Sequence, residues 1–403
     1  MNFMNLRNYK SVAERRSALE KLTGVMFTHT GKFTLDEQIT TARNCENMIG
    51  VTQVPLGIAG PLSVKREAES IRQAQDKRGK EKEFYIPLAT TEGALVASVN
   101  RGCKAISESG GCLVHSHRIG ATRGPVFQTT GTAQNQQLYE WIESHEQELA
   151  HAAESTSGHL KFKKAKVTTV GRYAYVRFYF DTQDAMGMNM VTIATQKMVT
   201  LIEARTRVKC LSLSGNFCVD KKASWQNFLN YRGIKAWAEV VIPEQVLKTT
   251  LKTTAQNVYQ VWLAKCMLGS IMSGSIGFNA QAANVIGALF LATGQDPGHI
   301  GEGSMAVTTT EVIVSGKPTE DLYISVYLPD LMVGTVGGGT NLATQTEVLQ
   351  LLGLAGGNEG NNSQRFAEII AASVLAGEIS LLSSLEEGSL ARAHEKLGRG
   401  EKE

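Results

Sequence analysis

From about Arg123 the chain changes character, and that change limits the possible folds more than any other feature. A polar run, Gln128–Gln137, leads into amphipathic helical spacing near Leu138–Ala153. Tyr173–Phe180 alternates as a strand does, and Met186–Thr206 returns to helical spacing with one apolar face. Strand and helix alternating within about 90 residues predict a small α+β domain set inside a longer chain. With 403 residues and 42% of them hydrophobic, the remainder can bury a larger core, so about two or three domains are expected.

The flanking segments carry their own signals. Residues 1–45 read as a small helical entry segment, in which Thr34-Leu35-Asp36-Glu37 forms a capping box opening a helix to about Arg43. Lys65–Lys82 is strongly charged and predicts an exposed hairpin or loop. Helices are expected at about 244–260, 261–274 and 279–293, and a strand at Thr319–Leu328. Ser363 is the expected cap of a long helix, Gln364–Leu385.

A net charge of +3 gives no argument for nucleic acid or a membrane surface. The most apolar region, Val261–Leu291, is broken by Lys265, Asn279, Gln281 and Asn284, and falls short of the roughly 20 apolar residues of a span. Met1–Lys21 is polar and unlike a secretory signal, so a soluble, cytoplasmic chain is expected. The six cysteines are scattered without a C-x-x-C pair and read as reduced, mostly structural thiols. Cys103 and Cys218 fall inside candidate site segments, which makes inhibition by alkylation an expectation without making them catalytic.

Glu92 is an isolated acid in the small and apolar segment Leu88–Ser98. A carboxylate that loses hydration there keeps its proton near neutral pH, as a proton donor must. The plainer alternative is a core carboxylate paired with Arg101 or Lys104. The segment Asn100–Lys104 suits a phosphate-bearing ligand beside the acid. Leu211–Lys222 places Asp220, Lys221 and Lys222 after a glycine turn, and Asp296 closes an apolar stretch as a second isolated carboxylate. A solvated lysine doublet and a helix-terminal acid are the competing readings. Lys265, an ammonium in an apolar helix, calls for an anionic partner.

Asp184–Met190 and Gly334–Asn341 are glycine-containing turns leading into helices, a ready site for phosphate oxygens. No G-x-G-x-x-G follows a strand, so a Rossmann fold is not supported. His115 and His117 share a strand face without further ligands at zinc spacing, so no metal is expected.

Together with Glu46–Leu62 (ENMIGVTQVPLGIAGPL), these segments resemble 3-hydroxy-3-methylglutaryl-CoA (HMG-CoA) reductase from about residue 40 onward. The likeness is greatest to the NADPH-using class of eukaryotes and archaea, without that family's membrane anchor. It implies an α/β (α+β) fold: an N-terminal segment to residue 45, a large HMG-CoA-binding domain at 46–122 and 214–403, and an inserted ferredoxin-like NADP-binding domain at 123–213. The implied reaction reduces HMG-CoA to mevalonate and CoA with two hydrides from NADPH. The alternatives are an NAD-linked enzyme running oxidatively, an acyl-CoA lyase or isomerase without nicotinamide, and a non-catalytic CoA-binding subunit.

Carried over by position, Glu92 is the acid, Lys221 stabilises the oxyanion, Asp296 couples the two, and His394 protonates the leaving thiolate. Arg123, Ser214, Lys222, Lys265 and Asn284 match substrate contacts, and Ser98, Asn100, Arg101 and Lys252 match positions near CoA, with Lys248 a rival to Lys252. Ser157, Asp184, Met186, Gly187, Met188, Asn189 and Val336, Gly337, Gly338, Gly339 match the dinucleotide site. The chain departs from the family at Gly158, where an arginine is common, at Ala393, at Gln281 and in a shortened GSIGFN. His159, Lys161, Lys163 and Lys164 are the candidate replacements for the missing charge at Gly158. A homodimer or homotetramer with the site shared between chains is implied.

Overall fold

The computed structural model describes residues 9–23, 31–66, 82–314 and 320–387. Its strands are β1 (Leu56–Arg66), β2 (Lys82–Ala89), β3 (Cys112–Arg123), β4 (Val126–Gln128), β5 (Lys161–Val170), β6 (Tyr173–Asp181), β7 (Lys209–Ser212), β8 (Arg232–Ile242), β9 (Val307–Val314) and β10 (Glu320–Leu331). They form one continuous sheet along β7-β4-β6-β3-β8-β10-β9, with β5 added on β6, and with β1 pairing both β2 and β3.

β3 joins the two parts of the molecule. Its first half lies antiparallel to β8, and its last residues, Ala121–Arg123, pair with Phe178–Phe180 of β6. Beyond that junction the order β7-β4-β6-β5, with helices between β4 and β5 and between β6 and β7, is the ferredoxin-like arrangement. Phe127, Leu138, Ile142, Phe178, Phe180, Val191, Met198 and Ile202 fill a core of their own there.

The larger core is organised by the helix Asn361–Glu387, whose residues from Phe366 to Leu382 are almost all buried. A helix apolar all round belongs inside a fold. Its length and composition would also suit a membrane span, but it is packed within the protein. The helix Leu95–Glu108 crosses it where Gly102 meets the Ala376 backbone, and a Cβ at residue 102 would collide there.

Several predicted boundaries move. Asp36, not Thr34, caps the helix Glu37–Arg43, accepting from the Ile39 amide at 2.8 Å. The expected Leu138–Ala153 helix is two, Thr132–Ser144 and Glu146–Glu154, broken at His145, whose ring stacks on Trp141. The expected helix at 244–260 is interrupted after the π-helical stretch Leu247–Leu251, because Lys252 takes a left-handed conformation. The helix at 261–274 contains a second π-helical stretch, Leu263–Gly269. Ser363 does not cap the long helix; it lies inside it, and its amide donates to the Asp184 carboxylate at 2.8 Å. β1 and β2 pair antiparallel, while residues 67–81 of the expected hairpin or loop between them, and Thr319, lie outside the described residues.

Candidate active site

The loop after β7 places three side chains in unusual backbone conformations: Asn216, Val219 and Lys221 all have positive φ. Such strain collects at functional sites. It turns Lys221 onto Asp296, Nζ to Oδ2, at 2.6 Å. Asp296 follows the helix Ala282–Thr293 and also accepts from the Gly298 amide at 2.9 Å. Burial alone would raise its carboxyl, but the bonds from Lys221 and Gly298 and the nearby His299 hold it below the usual carboxylate range. Lys221 retains 45% and Asp296 33% of side-chain exposure, so a ligand has access to both.

Arg123, at the end of β3, bonds Thr192 Oγ1 at 2.6 and 3.0 Å and approaches Asp220 Oδ2 at 3.5 Å. Ser214 lies beside it, because the Gly215 amide donates to the Gly124 carbonyl at 2.7 Å. Exposed Lys222 donates to the Asp220 carbonyl at 3.1 Å. Arg123, Ser214, Lys221, Lys222 and Asp296 are therefore gathered on one side of the chain.

Behind them lies a buried polar network that sequence reading missed. Arg232 is fully buried and binds Glu302 through both carboxylate oxygens at 2.6 and 2.7 Å, Asp220 Oδ1 at 2.7 Å and Thr122 Oγ1 at 2.9 Å. Burial opposes its charge, but Glu302, Asp330 and Asp220 outweigh that and strengthen its hold on the proton. Asp330 is the reverse: burial and the adjacent Glu302 push its carboxyl well above the usual range. Asn227 bridges Asp330 at 2.7 Å and Arg177 at 2.9 Å. His299 touches Glu302 through Nδ1. Asp220, His299 and Glu302 are grouped closely enough for a metal, but Arg232 already supplies the cation. The three-residue spacing of Asp296, His299 and Glu302 was the available sequence signal.

Glu92 stands elsewhere. It is exposed, in a bend before the helix Leu95–Glu108, so its own chain does not supply the burial expected for it. The paired alternative also fails: Arg101 bonds Ser380 and Ser384, and Lys104 pairs with Glu108 at 3.7 Å. Glu92 instead accepts from Asn284 Nδ2 at 3.4 Å. Asn284 is in the first turn of Ala282–Thr293 and Asp296 lies past its last turn. At 1.5 Å per residue the helical part alone separates them by roughly 14 Å. Within one chain, Glu92 does not reach the Lys221–Asp296 pair.

Lys265 is likewise exposed, on the second π-helical stretch rather than enclosed in an apolar helix. Its charge reaches buried Glu378, which accepts from the Ala280 and Gln281 amides at 2.7 Å and fixes the turn before Asn284. Ser98 and Arg101 both bond Ser380, and Asn100 accepts from the Gly60 amide at 2.9 Å. Lys248 pairs with Glu244 at 2.9 Å, whereas exposed Lys252 ends the first π-helical stretch. His394 lies outside the described residues.

The two glycine turns, 150 residues apart in sequence, are adjacent in space. Thr335 donates to the Asp184 carbonyl at 2.8 Å, and Ala185 bridges Val336. Gly187 adopts a left-handed conformation to open the helix Met188–Thr206. Gly337 and Gly338 also have positive φ, with open space where a Cβ would lie. Gly339 packs on Gly294, two residues before Asp296. The Asp184 side chain has a task the motif did not reveal: it accepts from the Asn358, Gly360 and Ser363 amides and anchors the long helix.

The family model for hydroxymethylglutaryl-coenzyme A reductase matches residues 11–399. The chain belongs to this family. The 3-hydroxy-3-methylglutaryl-coenzyme A reductase of Methanothermobacter thermautotrophicus is 45% identical, over 97% of this chain and 94% of that protein. That of Methanocaldococcus jannaschii is 47% identical, over 96% and 92%. Among solved structures, a Streptococcus pneumoniae HMG-CoA reductase superposes with a TM-score of 0.67 at 18% identity, covering 92% of each chain. A class II enzyme from the same organism, bound to NADPH in open conformations, gives 0.67 at 17% identity, over 96% of this chain and all of that one.

Within this reductase chain, the region around the Gly158 departure is held by its neighbours. Ser157 Oγ accepts from the His159 amide at 3.2 Å, and the His159 ring meets Gln183, next to Asp184, at 3.1 Å. Lys161 pairs with Glu154 at 2.9 Å, while Lys163 donates to the Arg118 carbonyl. Cys103 and Cys218 are fully buried, and burial pushes the Cys103 thiol up to about 12, so neither is placed for alkylation.

Proposed function

We propose that this chain reduces HMG-CoA to mevalonate and CoA, that Lys221 and Asp296 act at the reacting carbonyl, and that Glu92 of a second copy completes the site. The observation that carries this is the 2.6 Å Lys221–Asp296 pair, beside Asp220, which Arg123 approaches at 3.5 Å, and two residues past Gly294, on which Gly339 of the second glycine turn packs.

The glycine turns suit a dinucleotide: a helix N-terminus at Met188, open backbone at Gly337 and Gly338, and, among the described residues, no side chain within 4 Å of where their Cβ atoms would lie. NADPH, when bound there, supplies the hydride. Lys221, ion-paired with Asp296, stabilises negative charge gathering on the thioester oxygen. Arg123 offers its guanidinium to the terminal carboxylate of the substrate, and Ser214 and Lys222 flank it. Ser98, Asn100, Arg101 and Lys252 face the CoA portion, and the Arg101–Ser380 and Arg101–Ser384 bonds bring the end of the long helix to the same place. The segment that follows carries His394, to which we assign protonation of the departing thiolate.

Glu92 and Asn284 lie too far from Lys221 in their own chain, so a homo-oligomer that joins the two halves follows. A cytoplasmic location is part of this proposal. Oxidation of reduced nicotinamide on adding HMG-CoA, run with NADPH and with NADH, tests the reaction. Turnover should need NADPH, and should disappear in Lys221→Met. No consumption of either nucleotide would favour lyase or isomerase chemistry instead.

A further inference from the structure

We propose that His299 is a positioning residue for the reaction: from behind the site it holds the Asp296 carboxylate toward Lys221, given the roles proposed above for that pair. His299 is fully buried in the short turn Pro297–His299. Its Nδ1 contacts Glu302 Oε1. Among the described residues its Nε2 has no hydrogen-bond partner, yet it faces two carboxylate oxygens, Asp296 Oδ2 at 3.7 Å and Asp220 Oδ1 at 4.0 Å. A lone pair aimed at two carboxylates is repelled, whereas an N–H is attracted to both. The surroundings therefore fit a ring whose Nε2 carries an N–H directed at the two carboxylates.

The other charges around it decide which carboxylate depends on the ring. Glu302 is held by Arg232, and Asp220 by Arg232 and Arg123. Asp330 lies beyond Glu302 and is bridged through Asn227 to Arg177. Among the described residues Asp296 has Lys221 as its one cationic bond partner, and that ammonium must also serve the substrate. Asp296 therefore gains most from the imidazole. Its carboxyl is held low against burial chiefly by Lys221 and Gly298, and then by His299.

The test is the pH profile of NADPH-dependent turnover for the full chain, His299→Gln and Lys221→Met. An Asp296 with a depressed value is ionised above it and loses its charge as pH falls through it. Without His299 that value rises, so the acid limb of kcat should move upward by about 0.5–1 pH unit, with KM little changed. An acid limb coincident with that of the unaltered enzyme, whatever the loss of thermal stability, overturns the proposal. Should His299→Gln fail to fold, histidine ¹⁵N shifts in the unaltered protein decide: an N–H on His299 Nε2 supports it, and an unprotonated Nε2 overturns it. Turnover surviving in Lys221→Met would instead overturn the site assignment itself.

Discussion

Asp184→Ala should loosen the long core helix from its N-terminal end, and the size of the effect follows from three amides. The carboxylate accepts from the Asn358, Gly360 and Ser363 N–H groups. Asn358 is exposed and can be rehydrated, but Gly360 and Ser363 are buried. Two stranded buried donors cost about 1–3 kcal/mol each. Loss of a carboxylate from the helix N-terminus adds about 0.5–1 kcal/mol. A total near 4 kcal/mol corresponds to roughly a thousandfold loss of local hydrogen-exchange protection. Hydrogen exchange at Gly360 and Ser363, without cofactor, measures it. Asp184→Asn, which keeps one neutral acceptor, should fall between. Burial alone would raise the Asp184 carboxyl, but the three amides hold it below its ordinary value. The stabilisation is thus complete above the unfolded value of about 3.9 and fades as pH falls through the folded one. Protection within threefold of the unaltered protein would refute the anchoring role.

Arg123→Lys removes the planar fork but keeps the charge, so KM for HMG-CoA should rise about tenfold or more while kcat changes less; an unchanged KM would remove Arg123 from carboxylate recognition. Glu302→Gln removes one of the two carboxylates bonded to fully buried Arg232 and leaves Asp220, at about 1–3 kcal/mol, and thermal unfolding should show a clear drop; an unmoved midpoint would contradict it. Iodoacetamide at pH 8 should label exposed Cys45 first and spare activity, since burial pushes the Cys103 and Cys112 thiols up to about 12; rapid loss of turnover with Cys103 modified would count against this.

Local periodicity revealed the elements whose packing is regular. Tyr173–Phe180 and Met186–Thr206 were readable because each buries one face of a strand or helix. Boundaries set by tertiary contacts were not readable: Ser363 looks like a cap, but a distant carboxylate performs that task. Motif likeness named Lys221, Asp296 and Arg123, and these stand close together. It could not show that Glu92 lies exposed near the far end of a helix from Asp296, because separation depends on the fold. The Arg232–Glu302–Asp330 network, beyond the spacing of Asp296, His299 and Glu302, was hard to read in sequence for a related reason. Arginine and acids usually lie on surfaces, and only the assembled core shows them buried and paired.

Mixing two inactive chains, Glu92→Gln and Lys221→Met, tests the shared site most directly. If each site draws Glu92 from one chain and Lys221 from another, a mixed dimer contains one wholly intact site. Random reassortment should then restore about one quarter of full turnover. A mixture with proven chain exchange that stays inactive would contradict a site built from two copies.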